Sequence, residues 1–187
     1  MTRIIAGKNR GRKLIVPTGQ DIRPTTDRMR ERVFSMVMHA RYPDLYGAKV
    51  ADLFAGTGAM GLEALSRGAD HVTFVEKSSE SLKCLESNIK ALDAAPSSTV
   101  LRTRATSLPP ASEPFDIIFM DPPYRRDLVT PTLEHLLEQN WIGDATLIIC
   151  ELATDDTSDI PAPLTIIDER AQGQQRMLFL QRAQHTE

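Results

Sequence analysis

The segment Asp52-Leu-Phe-Ala-Gly56-Thr-Gly58-Ala-Met-Gly61 decides the fold. It has the spacing Gly-x-Gly-x-x-Gly and joins a strand-like run that begins at Val50 to a predicted helix over about 59–67. Glycines let the backbone turn tightly and let a ligand approach the helix N-terminus, whose exposed N–H groups favour an anion. The segment therefore predicts the first strand–loop–helix unit of a ligand-binding α/β sheet, with a glycine-rich turn that binds nothing as the alternative.

Beyond this unit, short apolar runs typical of strands alternate with stretches of helical periodicity. Strands are predicted at 71–75, 99–102, 115–120 and 146–150, and helices at 79–92 and 127–139. The tail adds strands at 164–168 and 176–180, whose closeness favours an antiparallel hairpin. Alternation of this kind is typical of a mainly parallel sheet with helices on its faces, so the predicted fold class is α/β.

The first 46 residues have a different character. Two short strands, 3–6 and 13–16, are predicted around a basic loop, and a helix is predicted over 27–40. Residues 1–32 carry a charge of +6, against −9 for the rest of the chain, which gives the net −3. A basic arm on an acidic body indicates nucleic-acid contact, although a solvated basic face explains the charge equally well. We predict a basic RNA-contacting extension at 1–46 and one domain at 47–187.

Composition excludes several classes of protein. The chain is 41% hydrophobic and 25% charged, which is ordinary for a folded soluble protein. No apolar run approaches the roughly 18–20 residues that span a bilayer, and the N-terminus lacks the apolar core of a signal peptide. Cys84 and Cys150 form no CxxC motif, and the four histidines have no metal-ligand spacing. The sequence therefore favours a cytoplasmic protein with no membrane partner and no metal.

Two carboxylates are predicted where the first two strands end. Glu76 closes the second strand, where a carboxylate can accept hydrogen bonds from ribose hydroxyls. Asp52 lies four residues before the first glycine, where it would repel a pyrophosphate. The same carboxylate suits the ammonium and the nearby positive charge of a methionine moiety. This pattern favours S-adenosylmethionine over a dinucleotide.

A second motif, Asp121-Pro-Pro-Tyr124, directly follows the predicted strand 115–120. Its prolines stiffen the backbone, so that the Asp121 carboxylate and the Pro122 carbonyl can face one point. Both groups are acceptors, and an exocyclic amino group offers two matching donors. Tyr124 supplies an aromatic face for a stacked base, worth about 1–3 kcal/mol. The motif indicates methylation of an amino group, with a rigid Asx-Pro turn as the alternative.

Together these motifs resemble the RsmD-type methyltransferases, which methylate N2 of one guanine in bacterial 16S ribosomal RNA. The resemblance covers nearly the whole chain, and its N-terminal motifs are more specific than the glycine loop. The segments that carry it are Arg3-Ile-Ile-Ala-Gly7, Gly11-Arg-Lys-Leu14, Arg23-Pro-Thr-Thr-Asp-Arg28, Asp52-Leu-Phe-Ala-Gly-Thr-Gly58, Gly61-Leu-Glu-Ala-Leu-Ser-Arg-Gly68, Val75-Glu76 and Asp121-Pro-Pro-Tyr124.

The resemblance implies a class I methyltransferase fold, with S-adenosylmethionine as donor and S-adenosylhomocysteine as product. It implies 16S ribosomal RNA in a small-subunit assembly particle as substrate, and we expect a monomer. We predict Asp121, Pro122 and Tyr124 as catalytic residues. The predicted cofactor-binding residues are Asp52, Phe54, Gly56, Gly58, Gly61 and Glu76, and the predicted RNA-binding residues are Arg10, Arg12, Lys13, Arg23 and Arg28.

One stretch departs from the family pattern. Such enzymes usually place an acidic residue after the third strand to hold the adenine amino group. This chain has Arg102-Thr-Arg-Ala-Thr106 there, so no adenine-binding acid is assigned.

Two alternative functions stay open. One is N-methylation of DNA adenine or of a protein glutamine; an Asn in place of Asp121 would favour those substrates, and the basic arm argues against a protein target. The other is a non-catalytic RNA-binding assembly factor on the same fold. The presence of Asp52, Glu76 and Asp121 argues against such a degenerate protein.

Overall fold

The structure, a computed structural model, describes residues 2–17, 27–39 and 42–183. Its helices are α1 (Asp27–His39), α2 (Ala59–Ser66), α3 (Ser79–Ala91) and α4 (Val129–Glu138), with a short 3-10 helix at Ala95–Ser97. Its strands are β1 (Lys49–Leu53), β2 (His71–Val75), β3 (Ser98–Leu101), β4 (Phe115–Met120), β5 (Ile142–Ala153), β6 (Leu164–Gln172) and β7 (Gln175–Arg182). Within the described ranges, no helix has the length and apolar character needed to cross a membrane.

The seven strands of the described residues form one sheet in the order β3-β2-β1-β4-β5-β7-β6. Neighbours from β3 to β5 are parallel, and β7 runs antiparallel between β5 and β6. The predicted α/β sheet with an antiparallel C-terminal hairpin is confirmed. The strand order reverses between β1 and β4, and in open α/β sheets a ligand binds in the crevice at such a reversal, at the carboxyl ends of the strands.

Strand β5 is longer than the sequence predicts, since it spans Ile142–Ala153 rather than 146–150. After the buried Ile142, residues 143–146 are small or polar, and the pairing with β4 shifts register there. Thr146 holds this irregular part, because its hydroxyl donates to the Phe115 carbonyl at 2.6 Å and accepts from the Gly143 amide at 2.8 Å. The hydrogen bonds of Thr146 thus extend β5 on the N-terminal side of its apolar run.

The N-terminal arm, residues 2–17, pairs with itself over a shorter stretch than predicted. The segments predicted as strands at 3–6 and 13–16 run antiparallel, with a bridge between Arg3 and Lys13. Backbone hydrogen bonds join them from the Ile4 amide to the Arg12 carbonyl and from the Leu14 amide to the Thr2 carbonyl, both at 2.9 Å. The predicted hairpin is therefore present, but it is too short to add strands to the sheet.

Two buried polar side chains bind backbone groups of the arm that its antiparallel pairing does not use. Glu63 in α2 accepts from the amides of Ile5 and Ala6 at 2.7 and 3.0 Å. Asn88 in α3 accepts from the Ile15 amide at 2.7 Å and donates to the Ile15 carbonyl at 3.0 Å. These backbone groups are thereby satisfied without a further neighbouring strand. The arm is thereby fixed to α2 and α3.

The arm and α1 share one apolar core with the sheet. Ile4 and Phe34 are fully buried in the same cluster as Val50 and Phe119. The rings of Phe34 and Phe119 lie 5.4 Å apart, which joins α1 to β4. The division of the chain at residue 46 stays a prediction, and the packing of these residues is continuous across it.

Candidate active site

A cavity of about 600 Å³ opens at the carboxyl ends of the parallel strands. Its walls come from the glycine loop after β1, Glu76 after β2, residues 103–106 after β3, residues 121–124 after β4, and Glu151 in β5. This volume suits a small-molecule ligand. Across the described part of the chain, no group of three or more His, Cys, Asp or Glu side chains could hold a metal ion.

Glu76 ties together the loops that follow β1 and β2. One carboxylate oxygen accepts from the Gly56 amide at 2.8 Å. The other accepts from the amides of Lys77 and Ser78 at 2.8 and 2.7 Å. A carboxylate can accept about four hydrogen bonds, so Glu76 can fix the glycine loop and still bind a ligand hydroxyl.

Asp52 lies at the floor of the cavity and is almost fully buried, with 3% of its surface exposed. Its carboxylate accepts from the Gly61 amide in the first turn of α2 at 2.8 Å. Burial raises the pKa of Asp52 to about 7; the Gly61 hydrogen bond opposes this rise, and the negative charge of Glu76 adds to it. A ligand cation beside Asp52 would favour its charged form, so the site is suited to a positively charged group.

The glycine loop divides into lining residues and packing residues. Phe54 and Gly56 line the cavity, and both have left-handed backbones, with φ of 58° and 55°. Gly58 and Gly61 are not among the described residues that line the cavity. A Cβ atom on either glycine would lie 2.4 Å from a core side chain. These two glycines therefore allow α2 and its neighbours to pack closely, and their direct contact with a cofactor stays a prediction.

The turn after β4 places Asp121, Pro122 and Tyr124 in the wall of the cavity. In the sheet, β4 and β2 flank β1 on opposite sides, so this turn and the loop that carries Glu76 approach the cavity from opposite sides. Pro122 is buried, whereas Asp121 is exposed and Tyr124 keeps 39% of its surface exposed. The structure thus places these three predicted residues in the same cavity as Asp52 and Glu76.

Glu151 and Gln175 belong to the site, although the sequence did not lead us to predict either of them as site residues. The Tyr124 hydroxyl donates to a Glu151 carboxylate oxygen at 2.9 Å, and the Gln175 amide donates to the same oxygen and to the tyrosine oxygen. Burial raises the pKa of Tyr124 to about 12, Gln175 opposes this rise, and the Glu151 charge adds to it, so the hydroxyl stays a donor. The sequence does contain a signal for Glu151, because this residue directly follows the predicted strand 146–150, just as Glu76 directly follows β2.

The loop after β3 lines the cavity with Thr103, Arg104, Ala105 and Thr106. This is the stretch that departs from the family pattern, and it carries no carboxylate. Ala105 is buried, and Arg104 is exposed at the rim.

The N-terminal arm reaches the cavity through its two ends, because Thr2, Val16 and Pro17 are lining residues. Its loop lies at the other end of α2, where the Lys8 amide donates to the Ser66 carbonyl at 2.8 Å. Eight helical residues span about 12 Å, so the loop lies roughly that far from the cavity.

The predicted RNA-binding residues do not line the cavity within the described ranges. Arg10, Lys13 and Arg28 are exposed, and Arg23 lies outside the described residues. The Arg12 guanidinium donates at 2.6 Å to the backbone carbonyl of the last residue of α3, where a cation also favours the helix dipole. RNA contact by this set stays a prediction.

Comparison with known proteins places the chain among methyltransferases. Residues 2–181 match the family described as conserved hypothetical protein 95. Ribosomal RNA small subunit methyltransferase D of Escherichia coli is 37% identical over 181 residues, or 96% of this chain and 89% of that protein. The Haemophilus influenzae protein of the same name is 34% identical over 175 residues, or 91% and 89% of the two chains. A solved structure of a putative methyltransferase from Escherichia coli has a TM-score of 0.84 and 38% identity, and the match covers 96% of this chain and 97% of that chain.

Proposed function

The chain belongs to the RsmD family, and from that premise we propose that it methylates the N2 amino group of a guanine in small-subunit ribosomal RNA, with S-adenosylmethionine as donor. The observation that carries the proposal is a single cavity that holds two separate sets of residues. Asp52 and Glu76 suit a cofactor, and the Asp121–Tyr124 turn suits an amino group on a base.

The charges around the cavity support a cationic cofactor. More carboxylates than cations line it, namely Asp52, Glu76, Asp121 and Glu151 against Lys77 and Arg104. S-adenosylmethionine, when bound, supplies a methyl group activated by a positively charged sulfonium. Asp52 would hold its ammonium group, because a buried carboxylate with a raised pKa gains most from a nearby cation. Glu76 would accept from the ribose hydroxyls.

The acceptor residues compensate for the weak nucleophilicity of guanine N2, whose lone pair is conjugated with the ring. The Asp121 carboxylate and the Pro122 carbonyl accept the two N–H groups, which orients the amine and increases its electron density. The Tyr124 ring stacks on the base. Positioning and electrostatics of this kind are the main requirements for in-line attack on a methyl group. Asp121 then takes the proton that the amine loses.

The N-terminal arm supports RNA as the carrier of the base. An exocyclic base amine is reached only when the nucleotide is unstacked, which favours a loop or a single strand. Phosphate contacts position such RNA without reading its sequence. Arg10, Arg12 and Lys13 would hold the backbone at the far end of α2, while the flipped base occupies the cavity.

The test is to map modified nucleotides in small-subunit ribosomal RNA from a strain that lacks this gene, with nucleoside mass spectrometry. We expect the loss of one N2-methylguanosine, its return with the wild-type gene, and no return with Asp121→Ala. Loss of a methylated adenine in DNA, or of a methylated protein glutamine, would favour the alternative substrates. Unchanged modification everywhere would favour a non-catalytic assembly factor.

A further inference from the structure

The Tyr124 hydroxyl forms hydrogen bonds with two side chains that lie outside the Asp121–Tyr124 motif. Glu151 is in β5 and Gln175 begins β7, and these strands are antiparallel neighbours. In their register Gln175 pairs with Ala153, two residues from Glu151, so the two side chains lie on one face of the sheet. The β5–β7 register therefore brings the carboxylate and the amide together beneath the tyrosine.

This contact is built into the interior rather than formed at the surface. Glu151 is 4% exposed and Gln175 is 8% exposed. A buried carboxylate is costly unless donors satisfy it, and here the Tyr124 hydroxyl and the Gln175 amide both donate to one of its oxygens. The tyrosine is thus held at two points, by its backbone in the turn and by its hydroxyl in the sheet.

We propose that Glu151 is a positioning residue that, with Gln175, anchors the Tyr124 hydroxyl and so fixes the ring plane on which the target base stacks. This inference rests on the proposed function, since it assigns Tyr124 to the base. A ring fixed before the base arrives loses less conformational freedom on binding, and it holds the base in line with Asp121. A phenylalanine at this position would keep the stacking face but lose the anchor.

A double-mutant cycle tests the anchor by methyl transfer to small-subunit ribosomal RNA. Tyr124→Phe and Glu151→Ala should each lower kcat/KM by about tenfold, the value of one hydrogen bond to a charged group. The double variant should lose no more than either single variant, because both remove one contact. Glu151→Gln, whose amide oxygen can accept from the tyrosine hydroxyl, should restore most of the activity.

Two results in this cycle would overturn the proposal. A roughly hundredfold loss in the double variant would mean that Glu151 acts apart from Tyr124, and wild-type activity in Glu151→Ala would mean that the anchor has no effect. S-adenosylmethionine affinity should stay constant in Tyr124→Phe, which keeps every charge of the cavity. If Glu151→Ala fails to fold, the remaining pair decides, since Tyr124→Phe must lose activity and Glu151→Gln must keep it.

NMR of the Tyr124 Cζ carbon separates this inference from the proposed function. Loss of the anchor in Glu151→Ala should shift that signal, whereas the exposed-glutamate control Glu134→Ala should not. An unchanged signal in Glu151→Ala refutes the anchor whatever the substrate is. A shifted signal in a chain that methylates no ribosomal RNA keeps the anchor and refutes the proposed function.

Discussion

The cavity and the N-terminal arm use the same chemical group for opposite purposes. Beneath the arm, the Glu63 carboxylate of α2 is fully buried, accepts two backbone amides of the arm, and pairs with Arg67 at 2.7 Å. In the cavity, Asp52 is almost as buried and accepts one amide, but the charge that acts on it is the like charge of Glu76. Of these two carboxylates, Glu63 has an internal cation and serves the fold, whereas the perturbed Asp52 in the cavity is the candidate for a cationic ligand.

The largest effect is expected where α2 holds the arm, from Glu63→Ala. That change leaves the Ile5 and Ala6 amides without their acceptor. It also removes the buried partner of Arg67, which is 6% exposed and keeps the exposed Glu31, at 2.8 Å, as its remaining ion-pair partner among the described residues. Breaking one side of such a buried pair costs about 3–5 kcal/mol of the free energy of unfolding. Urea unfolding measures this, with the exposed Glu134→Ala as control. A loss below about 1 kcal/mol would contradict the structural role.

Asp121→Ala tests the cavity side, where function rather than stability should be lost. Removing one preorganised electrostatic contact lowers kcat by about 10²–10³-fold. The affinity for S-adenosylmethionine and the unfolding midpoint should stay close to wild type, because Asp121 is assigned to the acceptor amine. Single-turnover methylation of ribosomal RNA measures the loss. A near-normal rate would mean that the Asp121–Tyr124 turn has only a structural role.

Glu76→Ala should weaken cofactor binding while the fold persists. The change removes the acceptor of the ribose hydroxyls and frees three loop amides, which lie beside solvent and can bind water. The expected loss is about 1.5–3 kcal/mol, or roughly ten- to hundredfold in the Kd of S-adenosylmethionine by calorimetry. An unchanged Kd in a folded variant would remove Glu76 from the site.

Asp52→Asn sharpens the contrast with Glu63, because it should stabilise the unliganded protein. The pKa of Asp52 is raised from 3.8 to about 7, so the folded chain binds a proton more tightly than the unfolded chain between these values. Wild-type stability should fall as the pH rises through this window and then level off. The neutral variant should avoid this fall and gain about 1–3 kcal/mol near pH 8.

Urea unfolding of wild type and Asp52→Asn, near pH 5 and near pH 8, measures that difference. S-adenosylmethionine affinity should fall in the same variant, since the carboxylate is lost. A variant that is less stable than wild type near pH 8 would show that Asp52 serves the fold, as Glu63 does.

The smallest effect is expected from the triple change of Arg10, Arg12 and Lys13 to alanine. For single-stranded RNA, the logarithm of affinity falls against log salt with a slope of about −0.7 per phosphate contact. The slope should therefore flatten by about two units, with S-adenosylmethionine affinity unchanged. The exposed pair Lys83 and Lys90 on α3, changed to alanine, is the control. An unaltered slope in the triple variant would place the RNA path elsewhere.

The sheet and most of the cavity could be predicted because their signals are local. The strands from β1 to β4 are short segments rich in β-branched or apolar residues. Each chemical motif lies at or directly after the end of a strand, where chain direction alone brings the carboxyl ends together. Asp52, Glu76 and Asp121 could therefore be placed at one edge of the sheet before their contacts were known. Glu151 and Gln175 were not predicted, because no motif accompanies either residue.

The attachment of the arm to α2 and α3 could not be predicted because its partners are remote in sequence. The Ile5 amide bonds to Glu63, 58 residues away, and the Ile15 amide bonds to Asn88, 73 residues away. Both partners lie on helices, where the sequence alone predicts that a polar residue faces solvent. The pattern of the arm predicts its antiparallel pairing, but it gives no sign of the tertiary hydrogen bonds that fix the arm to α2 and α3.

Methyl transfer by the purified chain tests the central claim most directly. Wild type and Asp121→Ala are each mixed with labelled S-adenosylmethionine and with small-subunit particles from a strain that lacks this gene, and the RNA is digested to nucleosides. We predict label in N2-methylguanosine for wild type, and a loss of about 10²–10³-fold for Asp121→Ala. Label in another nucleoside or in protein, or no label from a chain that binds S-adenosylmethionine, would contradict the account.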